Sequence, residues 1–92
     1  MGNVDYEAIS FLLRGKRRRK VLESIKEGTK TPKQISRSCE ISISNVSLAV
    51  SELLEKGLIR CENPEAHTYK FFEITEKGKK ILDSLKDYEK DV

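Results

Sequence analysis

Long apolar runs are absent from this sequence. No stretch approaches the roughly 20 consecutive apolar residues that a helix needs to cross a bilayer. The first residues do not form a cleavable hydrophobic segment either. We therefore expect a soluble protein of the cytoplasm with no membrane partner.

Cysteine and histidine are scarce, with two cysteines and one histidine. Cys39 and Cys61 fall on predicted buried faces, where cysteine behaves as a small apolar residue, and they do not indicate a disulfide framework. Together with His67 they are not at the spacing of metal ligands. The sequence also has no glycine-rich phosphate-binding loop and no paired carboxylates that can be placed in a cleft. We expect no metal, no cofactor and no enzymatic activity; whether a small-molecule effector exists stays open.

Charge, in contrast, is abundant and unevenly distributed along the 92 residues. The net charge is only +3, yet residues 14–37 carry ten basic and two acidic side chains, whereas residues 38–92 carry eight basic and eleven acidic ones. One cationic side is expected when that side of a protein meets a polyanion. The length predicts one small domain over residues 1–92, too small for a deep catalytic cleft of its own.

The segment from Thr31 to Cys39 begins with a strong helix-start pattern. The Thr31 hydroxyl can accept from the backbone amide of Gln34 while the Gln34 side chain reaches back, which is the reciprocal arrangement of a capping box. Pro32 occupies the first helical position, where its missing donor costs nothing. Ile35 and Cys39 lie four positions apart and supply the buried stripe of this helix.

A second helix follows after a short turn at residues 40–42. Ser42 is the predicted cap, and Ile41 is expected to pack against Val46 as a hydrophobic staple. Gly57 is expected to end the helix with a left-handed backbone. The apolar face comprises Val46, Val50, Leu53 and Leu54. Two capped helices joined by such a turn are typical of a helix-turn-helix DNA-binding motif.

Amphipathic segments flank this motif. Residues 4–14 and 16–27 are predicted helices whose apolar positions recur at helical spacing. These positions are Tyr6, Ile9, Leu12 and Leu13 in the first helix and Val21, Leu22 and Ile25 in the second.

After the motif, residues 58–62 and 68–74 are predicted strands around a turn at residues 63–67. Phe72 and Ile74 are assigned to the core, and Phe71 is expected to be partly exposed. Thr75 is the predicted cap of a last helix from residue 76 to about residue 90. The predicted fold is therefore mainly α with a small β wing, a winged helix-turn-helix.

The order and spacing of five short motifs resemble those of the winged helix-turn-helix transcriptional regulators of archaea, related to the arsenical-resistance and multiple-antibiotic-resistance regulator types. The motifs are Arg18-Arg19-Lys20-Val21-Leu22, Thr31-Pro32-Lys33-Gln34-Ile35, Ser44-Asn45-Val46-Ser47, Leu53-Leu54-Glu55-Lys56-Gly57-Leu58-Ile59 and Thr75-Glu76-Lys77-Gly78. The resemblance implies a homodimer that places Ile43 to Lys56 in the major groove of double-stranded DNA and lays the wing along the adjacent backbone.

Three features depart from that family pattern. No cation lies between Ile43 and Glu55, so the second helix of the motif has no arginine for bidentate contact with guanine. The wing turn at residues 63–67 has no arginine for the minor groove. Glu40 stands where glycine or asparagine is more usual, and a positive φ there would be strained.

The exposed face of the second motif helix is expected to contact bases, because its side chains are short and uncharged where a merely solvated face carries lysine and glutamate. Asn45 can pair with an adenine edge, and Leu48 can touch a thymine methyl group. The alternative is that the serines only form caps and turns. The predicted base-facing residues are Ser44, Asn45, Ser47, Leu48 and Ser51.

The basic run at residues 16–20 is expected to contact phosphates. Five cations at a helix start oppose the helix dipole, so a phosphate partner explains them better than solvent does. The resemblance singles out Arg18. The predicted phosphate contacts are Lys16, Arg17, Arg18, Arg19, Thr31, Lys33, Arg37 and, in the wing, His67.

The first and last helices are expected to form a dimer interface, because the last helix has apolar residues over more of its circumference than one core contact requires. The predicted interface residues are Tyr6, Ile9, Ile81, Leu85 and Tyr88. The alternative is that the protomer buries them internally.

The sequence thus favours a homodimeric DNA-binding transcriptional regulator in the cytoplasm, associated with the nucleoid. Two alternatives remain: a winged helix used as a protein-interaction module, supported by Tyr69 and Phe71, and a sequence-tolerant chromatin protein. The operator, and whether the protein represses or activates, do not follow from the sequence.

Overall fold

The structure, a computed structural model, describes the backbone of residues 5–90 and the side chains of residues 5–87. These residues form helices α1 (Tyr6–Arg14), α2 (Lys16–Ser24), α3 (Pro32–Cys39), α4 (Ile43–Glu55) and α5 (Glu76–Lys90), and strands β1 (Ile59–Cys61) and β2 (Phe72–Ile74). The strands pair antiparallel, with Ile59 opposite Ile74 and Cys61 opposite Phe72. The fold is the predicted winged helix-turn-helix, mainly α with a small sheet.

The helix starts follow from local hydrogen bonds. The Thr31 and Gln34 capping box is present, and the Ser42 hydroxyl accepts from the backbone amide of Asn45 at 3.1 Å. Asp5 caps α1 by accepting from the amide of Ala8, so this helix begins two residues later than predicted. The Thr75 hydroxyl accepts from the amide of Gly78 and caps α5 as predicted.

The second helix ends at Ser24, three residues before the predicted end at residue 27. The Ser24 hydroxyl donates to the Val21 carbonyl at 2.7 Å and so competes with the helical backbone pattern.

Two turns have left-handed backbones: Gly57 with φ 73° and Glu40 with φ 57°. The positive φ at Glu40 is strained, because its Cβ crowds the backbone there.

The core contains residues from all five helices and both strands. Among its fully buried side chains are Leu12, Leu22, Leu53 and Leu58. The predictions for Leu13 and Leu54 were wrong, since these side chains are 47% and 39% exposed, and Ala8 and Phe11 are buried instead. Phe72 is buried as predicted, whereas Ile74 is only partly buried against the core.

The returning strand is shorter than predicted, with three residues, Phe72–Ile74, in place of 68–74. The Asn63 side chain replaces part of the predicted ladder: its amide donates to the Tyr69 carbonyl at 2.7 Å, and its oxygen accepts from the Phe71 amide at 2.8 Å. On the side of β2 that faces away from β1, Phe72 pairs with Lys30 in an isolated antiparallel bridge, which the sequence did not indicate.

The predicted dimer interface requires correction. Ile9, Ile81 and Leu85 are 2%, 5% and 1% exposed, because α1 and α5 pack against the core within one chain. Tyr6 is exposed, and the side chain of Tyr88 lies outside the described residues. The alternative of internal burial therefore holds for those three side chains. Within residues 5–90 no helix has the length and apolar character to span a membrane.

Candidate nucleic-acid interface

The outer face of α4 is uncharged and open to solvent. Ser44, Ser47, Leu48 and Ser51 are exposed, and Asn45 is half-buried beside them. The face arises because Val46, Ala49, Val50 and Leu53 turn inwards to the core. Leu48 is 65% exposed and presents a large apolar surface to solvent. All five predicted base-facing residues are thus brought together on one helix.

A groove of about 680 Å³ runs along one side of this face, between α4 and the junction of α1 and α2. From α4 it is lined by Asn45, Leu48 and neighbouring residues. From the α2 start it is lined by Lys16 and Arg17, whose side chains are exposed. This side of the α4 face therefore has a cationic wall.

A second groove lies on the opposite side, between the starts of α3 and α4 and the wing. Lys33 and Ile43 line it from the two helices, and His67, Tyr69 and Lys70 line it from the wing. Tyr69 is 65% exposed. The uncharged face of α4 is therefore bordered on both sides by basic residues that are far apart in the sequence.

The remaining predicted phosphate contacts differ in their surroundings. Arg37 is exposed in the last turn of α3. Arg19 forms an ion pair with Glu23 one helical turn away, at 3.3 Å. Thr31 is buried, and its hydroxyl accepts from the Gln34 amide, so the predicted phosphate contact by Thr31 needs correction: its role in the structure is to cap α3.

Arg18 also differs from its prediction. Two guanidinium nitrogens donate to the two carboxylate oxygens of Glu52 at 3.0 and 2.9 Å, and a third donates to the Phe11 carbonyl at 2.9 Å. The guanidinium also lies 4.1 Å from the centre of the Phe11 ring. The predicted phosphate contact by Arg18 is therefore corrected to an internal role, because its hydrogen bonds are directed into the chain.

The hydrogen bonds between Arg18 and Glu52 alter the acidity of both groups. They lower the pKa of Glu52 below its ordinary value and raise that of Arg18. Partial burial works against both shifts and is the smaller effect. The carboxylate of Glu52 is thus held ionised and neutralised at the edge of the α4 face.

Sequence reasoning missed Glu52 and Phe11 as parts of this site, and Tyr69 and Lys70 as lining residues of the second groove. A signal for Glu52 was available, because it lies seven positions after Asn45 and therefore shares its side of α4. No comparable signal pointed to Phe11, whose carbonyl and ring meet Arg18 across a helix junction.

The described residues contain no group of three histidine, cysteine or carboxylate side chains placed to hold a metal ion. Cys39 is buried and Cys61 half-buried, and both are free thiols. Cys39 donates to the Lys20 carbonyl at 3.5 Å, which suits a core cysteine.

The sequence model of the winged helix-turn-helix family matches residues 19–91. This protein therefore belongs to the winged helix-turn-helix family. No curated protein sequence matches it.

Several solved structures share the fold. A MarR family regulator from Neisseria meningitidis is similar with a TM-score of 0.72 and 23% identity, over 92% of this chain and 61% of that one. The zinc-responsive MarR family member ZitR from Lactococcus lactis is similar with a TM-score of 0.67 and 18% identity, over 82% and 53%.

A third similar structure is a homodimeric winged helix-turn-helix DNA-binding domain from Mycobacterium bovis, with a TM-score of 0.65 and 17% identity over 96% of this chain and 85% of that domain. At these identities the likeness concerns the fold. The chain spans only about half to three fifths of the two MarR family proteins.

Proposed function

We propose that this protein is a sequence-specific DNA-binding transcriptional regulator that acts as a homodimer in the cytoplasm, associated with the nucleoid. The observation that carries the proposal is the uncharged outer face of α4 between two basic borders. Such a face can enter the major groove while the cations on either side meet the phosphates of the two DNA strands.

We assign base readout to residues 43–56 in the major groove. The residues that face the bases are Ser44, Asn45, Ser47, Leu48 and Ser51. Asn45 can donate to and accept from one adenine edge, and the apolar Leu48 can contact a thymine methyl group. Since α4 has no arginine, bidentate guanine contacts are not part of the proposed readout.

We assign the phosphate contacts to exposed basic residues on both borders. Lys16 and Arg17 flank α4 from one groove, and Lys33 with His67 flanks it from the other. Arg37 adds a further exposed charge on α3. Four arginine and lysine contacts in each of two protomers predict that the logarithm of the affinity falls with the logarithm of salt with a slope of about −7.

The proposed dimer joins two protomers so that both α4 helices reach one face of the duplex, about 34 Å apart. The homodimeric domain from Mycobacterium bovis supports this assembly by its fold likeness. Since Ile9, Ile81 and Leu85 are internal, we assign the interface to the part of α1 around the exposed Tyr6. Sedimentation as a monomer at micromolar concentration would contradict the dimer.

The first experiment measures binding to a random-sequence duplex library, followed by selection of the tightest sites. We expect tight binding at low salt, the steep salt slope, and a selected motif with two half-sites. A protein that binds no duplex at low salt is not a DNA-binding regulator, and binding without any enriched motif would support the sequence-tolerant chromatin protein instead.

A variant pair then separates base contacts from phosphate contacts. Asn45→Ala is expected to relax one base position of the selected motif by about 1–3 kcal/mol, whereas Lys33→Gln is expected to weaken binding to all sequences alike and make the salt slope shallower. A selected motif that Asn45→Ala leaves unaltered would remove Asn45 from the readout.

A further inference from the structure

Arg18 and Glu52 join two parts of the proposed DNA surface that are 34 positions apart in the sequence. Arg18 lies in the first turn of α2, directly after the exposed Lys16 and Arg17. Glu52 lies on α4, on the same side as Asn45 and one turn beyond Leu48. The pair therefore connects the phosphate-facing start of α2 to the base-facing helix.

The contact is geometrically specific. Both carboxylate oxygens of Glu52 accept from the guanidinium, which is the planar fork arrangement that only arginine offers. The remaining donor reaches the Phe11 carbonyl at the end of α1, and the Phe11 ring lies under the guanidinium. One side chain thus holds α1, α2 and α4 together at a single point.

Charge gives the pair a second effect. Glu52 lines the groove that also contains Asn45 and Leu48, where an uncompensated carboxylate would repel a phosphate backbone. Arg18 neutralises it with a bond 2.9 Å long. The surface therefore remains neutral at its base-facing centre and basic at its borders.

We propose that Arg18 and Glu52 form a clamp that determines DNA sequence specificity, by holding the base-facing side of α4 in register with the phosphate contacts of Lys16 and Arg17. The clamp residues position the helix and do not themselves contact DNA. This inference rests on the proposed DNA-binding function. It also explains why an acidic residue lies beside an otherwise uncharged recognition face.

Discrimination is the ratio of the affinity for the selected duplex to the affinity for a random duplex of equal length. A clamp and a direct phosphate contact predict different effects of substitution on this ratio. Loss of a phosphate contact lowers both affinities alike and leaves the ratio unchanged. Loss of the clamp misplaces α4 and lowers the ratio. If Glu52 acted only by repelling DNA, removal of its charge would instead raise both affinities.

The test measures both affinities for the full chain and for Arg18→Gln, Glu52→Gln and the double variant. We expect each single substitution to reduce discrimination about tenfold, and the double variant to reduce it no further, because either change already breaks the clamp. Arg17→Gln is the matched control: it is expected to weaken binding to both duplexes equally and to make the salt slope shallower.

Arg18→Lys provides a variant that keeps the charge and lacks the fork, so we expect it to lose discrimination as well. Circular dichroism establishes that each variant is folded at the assay temperature. Unchanged discrimination in Glu52→Gln, full rescue by Arg18→Lys, or additive losses in the double variant would each overturn the clamp. A wild-type protein that binds no duplex would instead overturn the proposed function, so the two failures are distinguishable.

Discussion

Gly78 lies in the first turn of α5, at the point where this helix crosses the start of the wing. A Cβ built on Gly78 would collide with the Leu58 carbonyl oxygen and would lie 2.7 Å from Cγ1 of Ile74. The first of these neighbours is backbone, and its carbonyl already accepts from the Thr75 amide at 3.0 Å. The substitution Gly78→Ala therefore forces α5 away from β1 or breaks that hydrogen bond.

Two opposing contributions determine the size of the effect. Alanine in a helix is favoured over glycine by about 1 kcal/mol, whereas overpacking costs about 1–3 kcal/mol and more when the neighbour cannot move. Because the close neighbour is a hydrogen-bonded carbonyl, we expect the clash to prevail. The free energy of unfolding should fall by about 1–2 kcal/mol, or the melting temperature by about 5–15 °C for a domain of this size.

Urea unfolding followed by circular dichroism measures this change, and an unaltered slope against urea establishes that only stability has changed. Gly28→Ala is the matched control, since no atom lies within 4 Å of the position that a Cβ would take there and its φ is not in the left-handed region. It should stabilise the protein by about 0.4–1 kcal/mol. If Gly78→Ala unfolds at the same or higher urea concentration than the wild type, the argument from the close contact is refuted.

Three further predictions concern the core, the motif turn and acid stability. Leu85→Ala should lower the free energy of unfolding by about 2–5 kcal/mol, because the side chain is 1% exposed; an unchanged urea midpoint would place it outside the core. Glu40→Gly should raise the free energy of unfolding by about 0.5–1 kcal/mol by relieving the strain at φ 57°, whereas Glu40→Ala, which keeps a Cβ, should bring no such gain; equal midpoints for both variants would contradict this. The pKa of Glu52 is lowered by its hydrogen bonds to Arg18, and the pKa of Asp5 is lowered by its hydrogen bond from the Ala8 amide. Both carboxylates therefore stabilise the folded protein above their ordinary pKa values of 4.5 and 3.8. This stability is lost as pH falls through the lowered pKa values. Melting temperatures of the wild type should therefore fall more steeply in this acid range than those of the double variant Asp5→Asn with Glu52→Gln, and parallel curves would contradict the assignment.

Local features were predictable from the sequence because their physical causes lie within one helical turn. The capping box of Thr31 and Gln34, the Ser42 cap and the left-handed Gly57 each depend on neighbouring backbone groups alone. Helical spacing also predicted the uncharged outer face of α4, since spacing along a helix determines which residues share a side. The winged helix-turn-helix fold followed from the order of these elements.

The tertiary structure decided the partners that are distant in sequence. Arg18 matched a basic pattern that predicts phosphate contacts, yet it pairs with Glu52 on another helix, a choice that depends on how α2 packs against α4. The helical spacing of Ile9, Ile81 and Leu85 is equally compatible with a dimer interface and with a protein core. Helical periodicity shows which side of a helix is apolar, but it does not show which part of the protein or which partner covers that side. The wing gave the same result: Asn63 has the character of a turn residue, and only the approach of Tyr69 and Phe71 lets its side chain replace part of the strand ladder.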